Sequence, residues 1–466
     1  MASGVFDKAD LQPRALHIQP RLIIHGGAGN ISRATLTPER RAAYRAALYE
    51  IVTRTNEYMT AGDRPSALAT AAFAVGLLED CPLFNSGHGA VFTRDGINEL
   101  EASVMVSRGQ AKRGVGVMGL RRVRNPVRLA RQMLEHGDAD LGATGSQPRE
   151  GTSMDRERRE DTDKSEGPPN VDAGAQGHTQ IYGAAAEALA AQYGLPLVDP
   201  SYFFTQTRWD EHVRALEREK QDRSASSTWS ADEYLPQGTC GAVALDTDGV
   251  VCCATSTGGL TNKVTGRVGD TPVVGAGFWA GTWAEDGDPT AVMAAASSPL
   301  NGTPSPRPVV ELSRALYRLL ADCLPVPSPM PYVYSPLPST PSTGATTTKT
   351  TRSVGLSGTG NGDSFLRVSA AHTVAAMAQY KPLSSAAALG AVAGPGGVLE
   401  TSAGTRWGRT GEGEGGLIGI ELAVVRDGDA VRQVRTAVIQ DYNCGGMFRA
   451  WVDDAGLTQV RVFRDE

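Results

Sequence analysis

A glycine–threonine pair in the middle of the chain is the first candidate for chemistry. Thr239 follows Gly238 and begins a short apolar run, and a second hydroxyl residue, Thr257, follows the next such run. A threonine hydroxyl is a weak nucleophile unless a base lies beside it. If the bond between Gly238 and Thr239 were cut, the new α-amine, with a reference pKa of about 7.7–8.0, could accept the hydroxyl proton. The pair therefore permits a self-activating nucleophile, although many Gly-Thr pairs only begin a strand.

The residues around this pair predict a β-hairpin. Apolar runs at 242–245 and 250–254 flank an Asp-Gly dipeptide at 248–249. An Asp-Gly pair between two β-rich runs is the strongest short-range hairpin signal. A hairpin would return the hydroxyl-rich end of the second strand to the start of the first, where Thr239 lies.

Three blocks of this region resemble the plant-type asparaginase / isoaspartyl peptidase family of N-terminal-nucleophile hydrolases. The blocks lie at 238–246, 254–259 and 266–270 and read GTCGAVALD, ATSTGG and GRVGD. The resemblance implies that Thr239 is a nucleophile freed by self-cleavage after Gly238, and that Thr257 hydrogen-bonds its hydroxyl.

Two charged residues follow in the third block. The resemblance implies that Arg267 holds the substrate's α-carboxylate and that Asp270 holds its α-ammonium. The chemistry agrees, because a guanidinium fork suits a carboxylate and a carboxylate suits an ammonium. A solvated loop ion pair is the alternative for these two residues.

The family resemblance extends to the N-terminal region. An apolar run at 21–24 leads into His25-Gly-Gly-Ala-Gly, which predicts a buried strand entering a glycine turn. Because the turn lacks the Lys-Ser/Thr of a phosphate-binding loop, nucleotide binding is not expected. A hydrogen-bonded structural role is the favoured interpretation of His25, ahead of a role as a base.

A further matching block lies at 78–90. The resemblance implies a structural Na⁺ there, and oxygen ligands suit such a hard cation. Asn85 in this block would help to position the amine of the nucleophile, with an ordinary turn asparagine as the alternative. The backbone carbonyls implied as ligands belong to Leu78, Glu79, Cys81, Phe84, Ser86 and His88.

The block at 353–360 predicts a strand that ends in a tight glycine turn. The resemblance implies that the Ser357 hydroxyl and the Gly358 N–H form the oxyanion hole, with Gly360 contacting substrate. Such holes need donors that are preset where negative charge will develop. Two departures from the family concern the pocket: serine stands at 357 where threonine is more frequent, and the turn at 361–365 is longer than usual.

The resemblance implies a single α/β domain folded as a four-layer αββα sandwich. Self-cleavage would yield an α subunit, 1–238, and a β subunit, 239–466, and two such pairs would associate as (αβ)₂. Polar composition predicts a disordered insertion at 145–177 and a mobile linker before the cut at 217–236. A second interruption begins near 285 and is rich in Pro, Ser and Thr over 325–352.

Sequence patterns also place the regular elements. Thr37 followed by proline is a good helix start. Patterns of apolar residues predict helices at 38–61, 66–78, 126–135, 182–193, 309–323 and 365–379, and further strands at 99–105, 115–119 and 415–420.

Composition excludes several classes of function. A net charge of −6 on 466 residues gives no electrostatic footprint for nucleic acid. The sequence contains no run of about 18 apolar residues, the length needed to span a membrane. Residues 1–19 lack the apolar core of a signal peptide. The six cysteines show no disulfide or metal spacing, which favours a reducing cytoplasm. The adjacent Cys252 and Cys253 should face opposite sides of one strand.

The activity implied by the resemblance is hydrolysis of L-asparagine or β-aspartyl (isoaspartyl) dipeptides, without an organic cofactor. One alternative is a taspase-like threonine endopeptidase that cuts proteins after Asp. The Arg267–Asp270 pair disfavours it, because a polypeptide offers no free α-ammonium there. A second alternative is an interaction protein that uses the proline-rich motif at 338–341. Binding that survives deletion of 325–351 would exclude it.

Overall fold

The computed structural model describes residues 18–110, 113–140, 175, 177–223, 225–235, 238–288, 348–381 and 383–466. Several predictions therefore lie outside the described residues: the insertion at 145–177 apart from 175 and 177, the helix at 309–323, and the motif at 338–341.

Strands of the described residues form two sheets. Their bounds are β1 (Arg21–Gly29), β2 (Leu100–Val106), β3 (Gly114–Leu120), β4 (Gln180–Tyr182), β5 (Cys240–Leu245), β6 (Val251–Thr257), β7 (Phe278–Asp286), β8 (Thr348–Gly360), β9 (Gly415–Asp427), β10 (Ala430–Tyr442), β11 (Gly446–Val452) and β12 (Thr458–Arg461). The larger sheet has the order β12-β11-β1-β5-β6-β2-β3-β4, and the smaller one β10-β9-β8-β7. Pairing is antiparallel except between β3 and β4.

Helices cover the outer face of each sheet. Their bounds are α1 (Pro38–Thr60), α2 (Ala67–Asp80), α3 (Pro126–Asp140), α4 (Gly183–Gln192), α5 (Gln206–Gln221), α6 (Gly362–Val368), α7 (Ala370–Tyr380), α8 (Ser385–Ala393) and α9 (Val398–Ala403). Among the described residues no helix is both long enough and apolar enough to cross a membrane.

Three apolar cores fix the order of the layers. Leu48 of α1 and Val75 of α2 pack with β2 on one face of the large sheet. Ile23 of β1, Val243 of β5 and Ile420 of β9 fill the space between the two sheets. A third core joins the small sheet to α7 and α8. The predicted αββα sandwich is confirmed.

Local signals explain several of these elements. The Thr37 side chain accepts a hydrogen bond from the Arg40 N–H and so caps α1. β5 and β6 form the predicted hairpin, with Gly249 in its turn at φ +76°. Cys252 packs in the helix-side core and Cys253 in the core between the sheets, which confirms their opposite orientations.

Three stretches differ from the sequence predictions. Residues 348–352, predicted as part of the Pro/Ser/Thr-rich insertion, belong to β8: all five pair with β9, and 349–352 also pair with β7. The predicted helix at 365–379 is two helices, because Ser369 adopts φ +47° between α6 and α7. Residues 217–221, predicted as the start of the mobile linker, continue α5.

The segment at 225–235, which precedes the predicted cut, contacts the body of the protein. Asn30 Nδ2 donates to the Ser230 carbonyl at 2.7 Å, and Trp229 Nε1 donates to Glu414 at 3.3 Å. Tyr234 is buried. The mobility of this segment after cleavage stays a prediction.

Candidate active site

Thr239 lies immediately before β5, at a point where the chain passes very close to β1. A Cβ added to Gly238 would lie 2.3 Å from the Cα of Gly27, far inside van der Waals contact. Only glycine fits at 238, and Gly27 itself has φ +123°, a conformation that favours glycine. The predicted cleavage point is therefore held tightly against the glycine turn of β1, with Thr239 buried.

The Thr239 side chain lines a small cleft that opens to solvent. Four other residues that the sequence analysis named line the same cleft: Thr257, Arg267, Asp270 and Gly360. The lining residues that it did not name as site residues are Glu101, Gly259, Leu260, Gly269, Thr271 and Gly362.

The hydroxyl of Thr239 has a partner in this cleft. Its Oγ1 lies 3.0 Å from Oγ1 of Thr271. Thr257 lies across the hairpin, since the β5–β6 register pairs Cys240 with Ser256. Its own hydroxyl accepts a hydrogen bond from the Gly259 N–H at 3.0 Å. The structure thus pairs the Thr239 hydroxyl with Thr271, whereas the resemblance implied Thr257.

Asp270 places a buried carboxylate in the cleft. One of its oxygens, Oδ2, has no hydrogen-bond partner among the described residues. Burial raises the pKa of Asp270 to about 7, while the nearby Arg267 guanidinium acts in the opposite direction. An unpartnered buried carboxylate oxygen is costly, and a cationic ligand would satisfy it.

Arg267 lies beside Asp270, but its ion pair is with another residue. Its Nη2 donates to Oδ1 of Asp363, in the first turn of α6, at 2.9 Å. The alternative of a loop ion pair between Arg267 and Asp270 is therefore not the arrangement observed.

A buried ion pair supports the loop that carries these residues. Lys263 Nζ donates to Glu101 at 3.1 Å and to the Glu99 carbonyl at 3.1 Å. Glu101 also accepts the Gly269 N–H, one residue before Asp270, at 3.1 Å. β2 thereby fixes the loop against the cleft.

Ser357 and Gly358, the predicted oxyanion donors, lie near the cleft but do not line it. The Ser357 Oγ lies 2.7 Å from Nε2 of His25, and both atoms pack against Gly241. The Gly358 N–H donates to the Gly277 carbonyl at 2.7 Å. Burial lowers the pKa of His25 to about 3, so its imidazole is neutral, as suits a hydrogen-bonded structural histidine.

Asn85 forms hydrogen bonds beneath the edge of the cleft. Its Nδ2 donates to the Gly259 carbonyl at 2.7 Å, and its Oδ1 accepts the Val91 N–H at 3.0 Å. It therefore connects the loop after α2 to a residue that lines the cleft.

In the predicted cation loop, backbone carbonyl oxygens lie close against two glycines. A Cβ on Gly87 would lie 2.3 Å from the Glu79 carbonyl oxygen, and one on Gly89 would lie 2.2 Å from that of Phe84. Burial raises the pKa of the Glu79 carboxyl to about 8. Among the described residues, no group of three His, Cys, Asp or Glu side chains could hold a metal.

Comparison with known proteins bears on this arrangement. A family model described as asparaginase matches residues 18–148 and 174–287, together more than half of the chain. The chain belongs to the asparaginase family. It is similar to the isoaspartyl peptidase of Escherichia coli, with 39% identity over 56% of this chain and 67% of the relative.

More distant relatives of this asparaginase-family chain come from other kingdoms of life. A putative isoaspartyl peptidase/L-asparaginase of Dictyostelium discoideum is 32% identical over 56% of this chain and 70% of the relative. A plant-type L-asparaginase of Pyrobaculum calidifontis is 32% identical over 56% and 69%. Gly238, Thr239 and the whole loop 257–271 lie inside the family match, whereas Ser357–Gly360 lie beyond its end.

Sequence reasoning on this asparaginase-family chain missed several residues of the site. Thr271 could have been noticed, because it carries a hydroxyl and directly follows Asp270, a residue already assigned to the site. Glu101 lies in the strand predicted at 99–105, but that prediction gave it no role in the site. Asp363 gave no such signal, because only the fold brings α6 against Arg267. The contact between Asn262 and His212 of α5 likewise depends on the fold.

Proposed function

We propose that this protein is a self-cleaving threonine hydrolase that acts on the side-chain amide of L-asparagine and on β-aspartyl dipeptides, releasing L-aspartate. The observation that carries the proposal is the unpartnered, buried Asp270 oxygen in the same cleft as the Thr239 hydroxyl and the Arg267 guanidinium. That cleft offers an anion for an α-ammonium and a cation for an α-carboxylate. The names of the relatives, isoaspartyl peptidase and L-asparaginase, agree with this chemistry.

Self-cleavage is the first step of the proposal. Thr239 Oγ1 attacks the carbonyl carbon of Gly238, the C–N bond between the two residues breaks, and an ester to Thr239 replaces the amide. Water then hydrolyses the ester, which leaves 1–238 with a free carboxylate and 239–466 with a free α-amine. The neighbouring Thr271 hydroxyl, at 3.0 Å, can accept or donate the proton that moves with the attacking oxygen.

Substrate hydrolysis uses the same oxygen. The α-amine of Thr239, with a reference pKa of about 7.7–8.0, removes the hydroxyl proton as Oγ1 attacks the side-chain carbonyl of the substrate. Ammonia or an amino acid leaves with a proton from that amine. Water, deprotonated in turn by the amine, then cleaves the acyl-enzyme and releases L-aspartate.

The oxyanion donors of the proposal are the Ser357 hydroxyl and the Gly358 N–H. His25 is hydrogen-bonded to Ser357 at 2.7 Å, which limits the rotation that a serine at this position would otherwise have. The Gly358 N–H bonds Gly277, so it has to exchange that partner before it can bind an oxyanion. Gly360 and Thr257 complete the proposed substrate site, and Asn85 supports it.

Three further properties belong to the proposal. A structural Na⁺ would be held by the backbone carbonyls of the loop at 78–88, and the close approach of carbonyl oxygens to Gly87 and Gly89 supports it. Two αβ pairs would associate as (αβ)₂. A cytoplasmic setting is the third property, and it is supported by the free thiols of the five cysteines that the structure describes.

A substrate comparison tests the proposed activity against the endopeptidase alternative. Purified protein is incubated with L-asparagine, with a β-aspartyl dipeptide and with a protein that carries an exposed Asp-containing loop, and released L-aspartate and new peptide termini are measured. Hydrolysis of either small substrate, with the protein uncut, supports the proposal. Cleavage of the protein without release of L-aspartate from the small substrates would refute it.

A further inference from the structure

A carboxylate of the protein itself already forms an ion pair with the guanidinium that is proposed to bind substrate. Asp363 Oδ1 lies 2.9 Å from Arg267 Nη2. The Asp363 side chain is 59% exposed, whereas that of Arg267 is 19% exposed. The aspartate therefore approaches the guanidinium from the solvent side.

The turn before α6 is built to bring Asp363 to this point. A Cβ on Gly362 would lie 2.6 Å from Asp270 Oδ1 and 3.1 Å from Arg267 Nη2, so a larger residue there would displace one of these two side chains. Asn361 fixes the turn, because its N–H donates to the Glu414 carbonyl at 2.8 Å and its side chain accepts the Ser364 N–H at 3.1 Å. Asp363 follows directly in the first turn of α6.

The charges around the cleft leave one cation for a carboxylate ligand. Of the described residues that line the cleft, Arg267 alone carries a positive side chain. Lys263, behind the cleft, is buried and bonded to Glu101. Asp363 accepts from one nitrogen of this guanidinium, Nη2, so a substrate α-carboxylate that needs the same nitrogen competes with Asp363.

We propose that Asp363 sets the affinity of this site for α-carboxylates. It pairs with Arg267 in the resting enzyme and moves into water when the α-carboxylate of a substrate or product takes its place. This inference rests on the proposed function, since it assumes that Arg267 receives that carboxylate. The exposure of Asp363 makes the exchange easy, because the displaced carboxylate regains its hydration instead of becoming a buried, unpaired charge.

The expected effect follows from the strength of an exposed ion pair. Such pairs shift an equilibrium by about 1.4- to 5-fold. Asp363→Asn and Asp363→Ala should therefore lower the KM for L-asparagine by about 1.4- to 5-fold with kcat unchanged. The dissociation constant of L-aspartate, measured by titration calorimetry, should fall by the same factor.

Two controls isolate the carboxylate competition. Asp465→Asn removes a matched exposed pair, Arg33–Asp465 at 2.9 Å with side chains 58% and 65% exposed, and should leave KM unchanged. L-Aspartic acid diamide, in which an amide replaces the α-carboxylate, should show the same KM with wild type and with Asp363→Ala. A change in folding alone would alter KM for both substrates.

An unchanged KM and an unchanged L-aspartate dissociation constant in both Asp363 variants would overturn the inference. An increase would overturn it too, since it would make Asp363 a residue that orients Arg267. Failure of the proposed function is distinguishable: wild type would then hydrolyse neither asparagine nor a β-aspartyl dipeptide. In that case L-aspartate binding still decides the role of Asp363, and a wild type that fails to bind it refutes both proposals.

Discussion

Replacing Asp270 by asparagine should make the protein more stable and at the same time nearly inactive. Asp270 is 5% exposed, and its Oδ2 has no hydrogen-bond partner among the described residues. Burial raises its pKa from an ordinary 3.8 to about 7. The folded protein therefore carries an energetic cost whenever this carboxylate is ionised without a ligand.

The sign and size of that cost follow from proton linkage. Between pH 3.8 and about 7 the folded chain keeps the Asp270 proton that the unfolded chain has lost. Stability contributed by this group therefore decreases as pH rises through that window, and the loss is complete above it. The difference between a pKa of 3.8 and one of about 7 corresponds to at most about 4 kcal/mol of unfolding free energy, since one pKa unit equals about 1.36 kcal/mol. This is an upper limit because neighbouring side chains relax around the charge. The neutral amide introduced by Asp270→Asn would carry no such cost.

Thermal unfolding and steady-state kinetics at pH 5 and pH 8 test this prediction. We expect Asp270→Asn to raise the Tm relative to wild type by clearly more at pH 8 than at pH 5. Loss of the buried charge that pairs with the α-ammonium should cost about 2 kcal/mol or more of binding free energy, which lowers kcat/KM by about 30-fold or more. Added L-aspartate should raise the Tm of wild type only.

Two results would refute the reasoning about Asp270. One is a variant that is no more stable than wild type at pH 8, which would mean that the ionised Asp270 carboxylate does not destabilise the wild-type fold. The other is a variant that keeps the wild-type kcat/KM, which would mean that Asp270 does not receive the ammonium.

Three substitutions test other parts of the site. Ser357→Ala should lower kcat about 100-fold while Ser357→Thr keeps most activity, because only the alanine removes a donor to the oxyanion; a small effect of alanine in steady-state assays would exclude that role. Thr271→Val removes the hydroxyl 3.0 Å from that of Thr239 and should slow self-cleavage about two- to tenfold, followed on denaturing gels. Equal rates would show that Thr271 takes no part. Asn85→Leu leaves the Gly259 carbonyl and the Val91 N–H without their buried partner, at about 1–3 kcal/mol each, so a lowered Tm is expected by calorimetry. An unchanged Tm would contradict that estimate.

The hairpin around Thr239 could be predicted from sequence because its determinants are local. The Asp-Gly turn is further fixed by Asp246, whose Oδ1 accepts the N–H groups of Asp248 and Val250. Capping of α1 by Thr37 is likewise decided within four residues. The opposite orientations of Cys252 and Cys253 follow from strand geometry alone.

The parts that sequence reasoning missed depend on long-range contacts. Residues 348–352 have the composition of solvated chain, yet pairing on both sides makes them a strand, with Thr350 fully buried. Arg267 and Asp363 are 96 residues apart, and no local pattern indicates that they meet. The buried state of Asp270, which gives it its chemistry, is also a property of the assembled fold.

Self-cleavage at Thr239 is the central claim, and a denaturing gel with N-terminal sequencing tests it most directly. The purified full-length protein should yield two fragments, one of which begins with Thr239, and Thr239→Ala should give a single uncut band. An uncut wild-type chain with full amidase activity would contradict the mechanism, because Thr239 would then have no α-amine to activate its hydroxyl.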